Sequence, residues 1–139
     1  MLERLRELAA QRADFAFETT LASRTFAPFL KQLIADGYRV RLVYVWLNSP
    51  DLCVARVGAR FRSGGHTVDE EVIRRRYQRS IDNFFSLFRQ LADRWEVFDN
   101  TSGTGAQLVA EGRRAMVTAI HDQDVWTRFM RSAGYEREP

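Results

Sequence analysis

An α/β layer fold, three-layered and built on a mostly parallel sheet, is what this sequence predicts. Three observations predict it. Helical periodicity and short apolar runs alternate along the chain, as they do in β-α-β units. One of those runs, Leu42 to Leu47, is apolar without a break, which suits a strand covered on both faces. Polar residues collect where the strands would end, at Glu18-Thr19-Thr20, Asn48-Ser49 and Asp99-Asn100. Ligands of open α/β sheets sit beyond the carboxyl ends of the strands, so these three places are where a site is expected.

Taken in order, Met1 to about Arg12 is an amphipathic helix with Leu2, Leu5, Leu8 and Ala9 in its stripe. Asp14–Glu18 alternates briefly and reads as a short strand, followed by a turn of Thr19, Thr20 and Ser23. A helix from about Thr25 to Asp36 turns Phe26, Phe29, Leu30, Leu33 and Ile34 inward. Pro28 sits in its first turn, where proline is tolerated, and Gly37 stops it. Arg39–Leu47 is the strongest strand. Ser49-Pro50-Asp51 then supplies a cap, a proline at the first helical position and an acid in the first turn.

That helix is predicted to end near Ser63-Gly64-Gly65, and Thr67 with Glu70 forms a capping box for the next. The second helix runs to about Asp93 with Ile73, Tyr77, Ile81, Phe84, Phe88 and Leu91 on one face. Trp95–Asp99 is a strand, Asn100 to Gly103 a loop, Ala106–Arg113 a helix and Ala115–Ile120 a short edge strand. Asp122 caps a last helix carrying Val125, Trp126, Phe129 and Met130.

The 139 residues suit one domain, 1–139, with 45% apolar residues to build a core. A net charge of +3 and no aromatic interleaving disfavour nucleic-acid binding. The single Cys53 forms no internal disulfide and fits a reducing, cytoplasmic setting, and its apolar neighbours Val54 and Val57 make it a core thiol rather than a nucleophile. No apolar stretch approaches the ~20 residues that span a membrane. Neither His66 nor His121 stands in metal-ligand spacing, so no metal ligand is assigned.

Chemistry concentrates in two arginine-bearing helices flanking Gly64-Gly65-His66, with Arg56, Arg60 and Arg62 before the turn and Arg74, Arg75, Arg76 and Arg79 after it. Arg56 and Arg60 stack on one helical face with no acid four residues away, a repulsion of a few tenths of a kcal/mol that a bound anion would relieve. A hinged pair of such helices suits a phosphoryl-transfer lid, where positioning and charge neutralisation do most of the work. Arg75 and Arg79 have acids within reach, Glu71 and Asp82, and also read as surface pairs. Arg62, Arg74 and Arg76 read as solvated. His66 is a hinge or phosphate donor, or an ordinary turn histidine.

FAFETT, then GYRVRLVYVWL, then the ordered run from Gly64-Gly65-His66 to Arg79, then the Asp99-Asn100 loop together resemble the zeta-toxin-like family of P-loop kinases, in its chromosomal branch. The resemblance covers most of Met1 to Asp99. It implies an adenylate-kinase-like fold and γ-phosphoryl transfer from ATP, with Mg2+, to a hydroxyl of a small acceptor. Characterised members phosphorylate UDP-N-acetylglucosamine and are held by an antitoxin. On this resemblance Glu18 and Thr20 match the family's E-x-T substrate contacts. Arg56, Arg75, Arg79 and Arg60, in that order, are candidates for the transferred phosphate, and Asp99, Asn100 and Ser102 lie in the loop near the nucleotide base.

No G-x-x-x-x-G-K-[ST] occurs in the 139 residues. The chain therefore reads as an N-terminally truncated, incomplete P-loop kinase fold, inactive alone. A non-catalytic remnant that binds an anionic ligand or antitoxin-like partner is the alternative. The family's missing first strand would lie between Asp14–Glu18 and Arg39–Leu47. These two are therefore expected to pair directly, or with another chain as a homo-oligomer or a missing N-terminal segment would provide.

Overall fold

The computed structural model describes residues 1–62, 64 and 69–139. Helix α1 is Leu2–Ala10 and α2 is Ala27–Ala35; strand β1 is Arg41–Trp46 and α3 is Pro50–Arg62. Helix α4, Glu70–Asn83, passes through a π-turn at Phe84–Phe88 into the short α5, Arg89–Leu91. Strands β2 (Arg94–Asp99), β3 (Gln107–Arg113) and β4 (Met116–Ile120) precede α6, Gln123–Ser132.

The ends of these helices follow their sequence signals. Ser49 Oγ accepts from the Leu52 amide at 3.1 Å ahead of Pro50. Asp122 accepts from the Val125 amide at 3.1 Å. Asp69 caps α4 by accepting from the Glu71 amide at 3.0 Å, whereas the expected cap Thr67 lies outside the described residues.

The sheet has the order β1-β2-β3-β4. Strand β1 runs parallel to β2, from Arg41 opposite Arg94 to Trp46 opposite Asp99. Strands β2 and β3, and β3 and β4, are antiparallel. The sheet is α/β as expected but not mostly parallel. Only the β1–β2 connection carries helices long enough to return the chain in the same direction, and the later connections are too short for a crossover.

The helix expected at Ala106–Arg113 is strand β3. Its residues have fair helix propensity, but pairing on both sides decides. Gly112 shows why this strand fits: a Cβ there would lie 2.2 Å from the Trp95 ring. The strand expected at Asp14–Glu18 does not form, and residues 13–20 carry no regular structure.

The core lies on one face of the sheet. Trp95, Trp126, Phe84, Phe85, Phe88 and Phe129 are fully buried there. Trp95 and Trp126 stack with centroids 5.8 Å apart, and Phe129 meets Tyr44 at 5.4 Å and Phe85 at 4.9 Å. Phe84, Phe85 and Phe88, at i, i+1 and i+4 across the π-turn, all face inward. A second, smaller cluster joins Leu5 of α1 to Phe29 and Leu33 of α2.

Tyr44 and Trp46 of β1 point into the main core, but Val43 and Val45 are 51% and 54% exposed. Along β1 the sheet is thus covered on one face, and the expected three-layer burial is not seen there. Nor do Asp14–Glu18 and β1 pair directly. A groove of about 1120 Å³ separates residues 14–21 from β1.

Candidate functional site

The groove's outer wall is set by two successive hydroxyl turns. Thr19 Oγ1 accepts from the Leu21 amide and Thr20 Oγ1 from the Ala22 amide, each at 3.3 Å. They lead into Leu21, a bulky residue held at φ 59°. Backbone strain of this kind costs on the order of 1–3 kcal/mol and persists only where the surroundings enforce it. Here they do: Leu21 is buried, and the Asn83 amide group donates to its carbonyl at 2.7 Å. At the other end Tyr38 donates to the Ala13 carbonyl at 2.9 Å. The segment is therefore pinned by two side chains, and Glu18 and Thr20 are presented, exposed, along the groove.

Arg60 of α3 lines the same groove, and it has no ion pair or hydrogen bond among the described residues. Glu18 likewise carries no partner among them. A free carboxylate, a hydroxyl whose proton is uncommitted and a free guanidinium thus share one cleft. Such a set can accept from hydroxyls and neutralise an anion.

Of the arginines singled out in the two helices, the others do not line it, although Arg39 and Arg41 beside and in β1 do. Arg56 donates to the Asn100 and Thr101 carbonyls at 2.8 Å each, tying α3 to the loop after β2. Arg75 and Arg79 stand exposed on α4, without partners among the described residues. The alternative surface pairs do not form either, and Asp82 instead accepts from Gln78 at 3.0 Å. Arg74, read as solvated, bridges α4 to α3 through Glu70 at 2.9 Å and Asp51 at 2.6 Å. His66 lies outside the described residues.

The loop after β2 uses most of its polarity on itself. Asp99 accepts from the Thr101 amide at 2.9 Å and from its hydroxyl. Ser102 accepts from the Thr104 amide at 3.3 Å, and the Asn100 carbonyl belongs to Arg56. Asp99 and Ser102 line a smaller cavity of about 370 Å³ with Gln107, His121 and Asp122; Asn100 does not.

Whether ATP and magnesium fit these residues is decided by the donors present. Among the described residues no group of three or more His, Cys, Asp and Glu could hold a metal ion. No G-x-x-x-x-G-K-[ST] supplies a ring of amides, Asp99 is satisfied within its loop, and Arg56 is filled by carbonyls. The described residues do not fit a nucleotide–magnesium site. Neither the tyrosines nor the cysteine near the groove supplies a base. Burial pushes the Tyr44 hydroxyl up, and Tyr77 up to about 12, so both stay protonated at neutral pH. Burial also raises the Cys53 thiol.

Sequence reasoning missed Asn83. It is 8% exposed, holds Leu21 and receives Arg24 at 3.4 Å. An amide placed beside the Phe84-Phe85 pair, in a helix otherwise rich in arginine, was the available sign of a buried hydrogen-bonding role.

A family model described as zeta toxin matches residues 1–124. Among curated proteins, an uncharacterized protein of Haemophilus influenzae is 33% identical over 67 residues, 48% of each chain. The chain so spans about half the length of this relative. No solved structure matches. No helix among the described residues is long and apolar enough to cross a membrane.

Proposed function

The chain belongs to the zeta toxin family, and on that premise we propose that its groove is the acceptor-binding part of a phosphotransferase reaction. The family's reaction moves a γ-phosphoryl group of ATP to a hydroxyl; in this reading the groove holds only the acceptor, a small molecule of the nucleotide-sugar kind, and no residue here is assigned to ATP or magnesium. Glu18 accepts hydrogen bonds from acceptor hydroxyls, Thr20 donates one, and Arg60 faces the acceptor's phosphate. What supports the reading is one observation: Glu18, Thr20 and an unpartnered Arg60 line a single groove.

Holding the acceptor is positioning, and positioning alone does not transfer phosphate. The family's cradle motif is absent from these 139 residues, so the chain by itself turns over no ATP beyond background. Arg75 and Arg79 belong to the same proposal as a helical arm whose free charges could meet a phosphate. Arg56 enters it only if a ligand displaces two carbonyls. A cytoplasmic setting and an antitoxin-like partner follow from the family premise.

Calorimetry with UDP-N-acetylglucosamine tests the reading. Binding is expected, weakened at least tenfold by Glu18→Gln and by Arg60→Ala, each a surface change that leaves the fold intact. Equal binding by all three proteins, or no binding at all, would contradict it.

A further inference from the structure

Of the buried charged side chains among the described residues, Glu96 is paired with Arg41, but Arg89 has no ion pair. Its Nε and Nη1 are enclosed and meet no acceptor. A guanidinium carries five donors and stays charged, so enclosing it without an acceptor is costly, and buried polar groups nearly always find one. The Phe85 and Trp95 rings, 5.2 and 5.9 Å from the guanidinium carbon, offer it their faces but no lone pair. A local rule broken at such cost is the mark of a working site, and here the missing part is an anion.

What lies beside Arg89 shows the shape of that anion's carrier. After α6, Gly134 at φ 88° turns the chain back, and the Tyr135 amide donates to the Met130 carbonyl at 3.1 Å. The returning residues set the Tyr135 ring 5.3 Å from Phe85. Glu138 then accepts from the Trp126 indole nitrogen at 2.6 Å. Trp126 is fully buried and stacks on Trp95, the ring that Arg89 also meets. The Glu138 carboxylate thus stands near Arg89 without reaching ion-pair distance. Burial lowers the Arg89 pKa, and the Glu138 charge offsets part of that. The remaining hold on this segment is weak: Arg131 and Glu136, both exposed, pair at 3.6 Å.

A tethered ligand needs few good contacts, because its effective concentration is high. This one covers Phe85 and satisfies the Trp126 N–H, yet it leaves the guanidinium unmet. A free segment that set its carboxylate on both donors would gain the charge-assisted bonds that the tether omits. We propose that residues 135–138 are a displaceable strap over a carboxylate-binding site formed by Arg89, the Trp126 N–H and the Phe85 ring. The site takes a peptide segment of a partner chain that carries an aromatic residue and, three positions on, a carboxylate, the spacing of Tyr135 and Glu138. The inference rests on Arg89 and the strap, not on the groove or the phosphotransferase reading.

The probe is a fluorescein-labelled, end-capped peptide, glycine-tyrosine-serine-serine-glutamate-glycine, read by anisotropy against the full 139-residue chain and its Glu138→Gln variant. Glu138→Gln removes the strap's own carboxylate, so the peptide should bind that variant about fivefold or more tightly than the natural chain. The same peptide with glutamine in place of glutamate should bind at least tenfold more weakly. Arg89→Met in the Glu138→Gln background should abolish binding. No saturable binding to Glu138→Gln would overturn the proposal, as would equal affinity for the glutamine peptide or for a folded Arg89→Met protein. Where Arg89→Met fails to fold, the two peptides on the folded Glu138→Gln protein decide the matter. Sedimentation showing a dimer of the natural chain that Glu138→Gln dissociates would assign the site to a second copy's strap and overturn it too. Failure here leaves nucleotide-sugar binding untouched, and the converse holds.

Discussion

At the scale of single residues, the groove depends on Asn83 more than on any residue facing it. Its amide fixes the Leu21 carbonyl and so keeps a strained leucine in place behind Thr20. Replacing it by alanine leaves a buried carbonyl unmet, so Asn83→Ala should cost about 1–3 kcal/mol in urea unfolding. Unchanged stability would show that the Leu21 conformation is held by packing alone. Arg89 makes the opposite case. It is 1% exposed, its Nε and Nη1 meet no partner, and it touches the Phe85 and Trp95 rings at 5.2 and 5.9 Å. Burial lowers its pKa, the mark of a charge poorly compensated by its surroundings. Arg89→Met keeps the volume and removes the charge, so thermal unfolding should shift upward or not at all. A loss above about 1 kcal/mol would mean that the ring contacts outweigh desolvation. Neither role follows from residue type alone. An arginine in an amphipathic helix is normally solvent-facing, yet this one follows Phe85 by four residues and Phe88 by one, on the apolar face.

At the scale of elements, Arg56 joins α3 to the loop after β2, and Gly103 makes room for it. A Cβ at Gly103, where φ is +72°, would lie 3.1 Å from the guanidinium. Gly103→Ala should therefore destabilise by about 1 kcal/mol or more, chiefly through strain at that φ, and only the smaller part due to the guanidinium contact should vanish in the Arg56→Ala background. Additive losses would show that the two do not touch in solution. On the antiparallel side of the sheet, Glu111 accepts from His121 at 2.8 Å and pairs with Arg94 at 3.4 Å. The His121 hydrogen bond first, then the Arg94 charge, holds the Glu111 carboxyl below its ordinary 4.5. A depressed carboxyl contributes stability that is present above its unfolded value and lost as pH falls through its folded one. His121→Gln should accordingly move the acid-unfolding midpoint to higher pH, and an unmoved midpoint would count against the pair.

These elements also show where sequence is a good guide and where it is not. Helices α2, α3, α4 and α6 and strands β1 and β2 were legible, because caps, proline placement and apolar spacing agreed with one another. Strand β3 was not, because Gln, Leu, Ala and Glu suit a helix in isolation and the partner strands overrule them. Asp14–Glu18 alternates like a strand, yet it lies across a groove from β1 and has no neighbour to pair with. The unbroken Leu42–Leu47 run was correctly a strand but misled about its cover, since Val43 and Val45 stand exposed.

At the scale of the whole molecule, the polar places named from sequence meet cavities only in part: Glu18 ends no strand, and Asn48, Ser49 and Asn100 line neither cavity. Glu18 and Thr20 line the large groove, and Asp99 and Ser102 the small one. The arginines were harder to place. Only Arg60 of the four candidates reaches the groove, because Arg56 is spent on carbonyls and Arg75 and Arg79 stand on α4 away from it. Which arginines converge is a matter of helix rotation and crossing, and neither is written in local spacing. These 139 residues alone should show no magnesium-dependent ATP turnover, and a coupled-enzyme assay that showed robust turnover would refute that.

Where an acceptor lands is the most direct test of the groove's role. A titration of the isotopically labelled chain with UDP-N-acetylglucosamine, followed by amide and guanidinium NMR shifts, locates it. The predicted result is shifts clustered at Glu18, Thr20, Leu21 and Arg60, abolished by Glu18→Gln. Shifts confined to the Asp99–Ser102 loop and His121, with Glu18 and Arg60 unmoved, would contradict it.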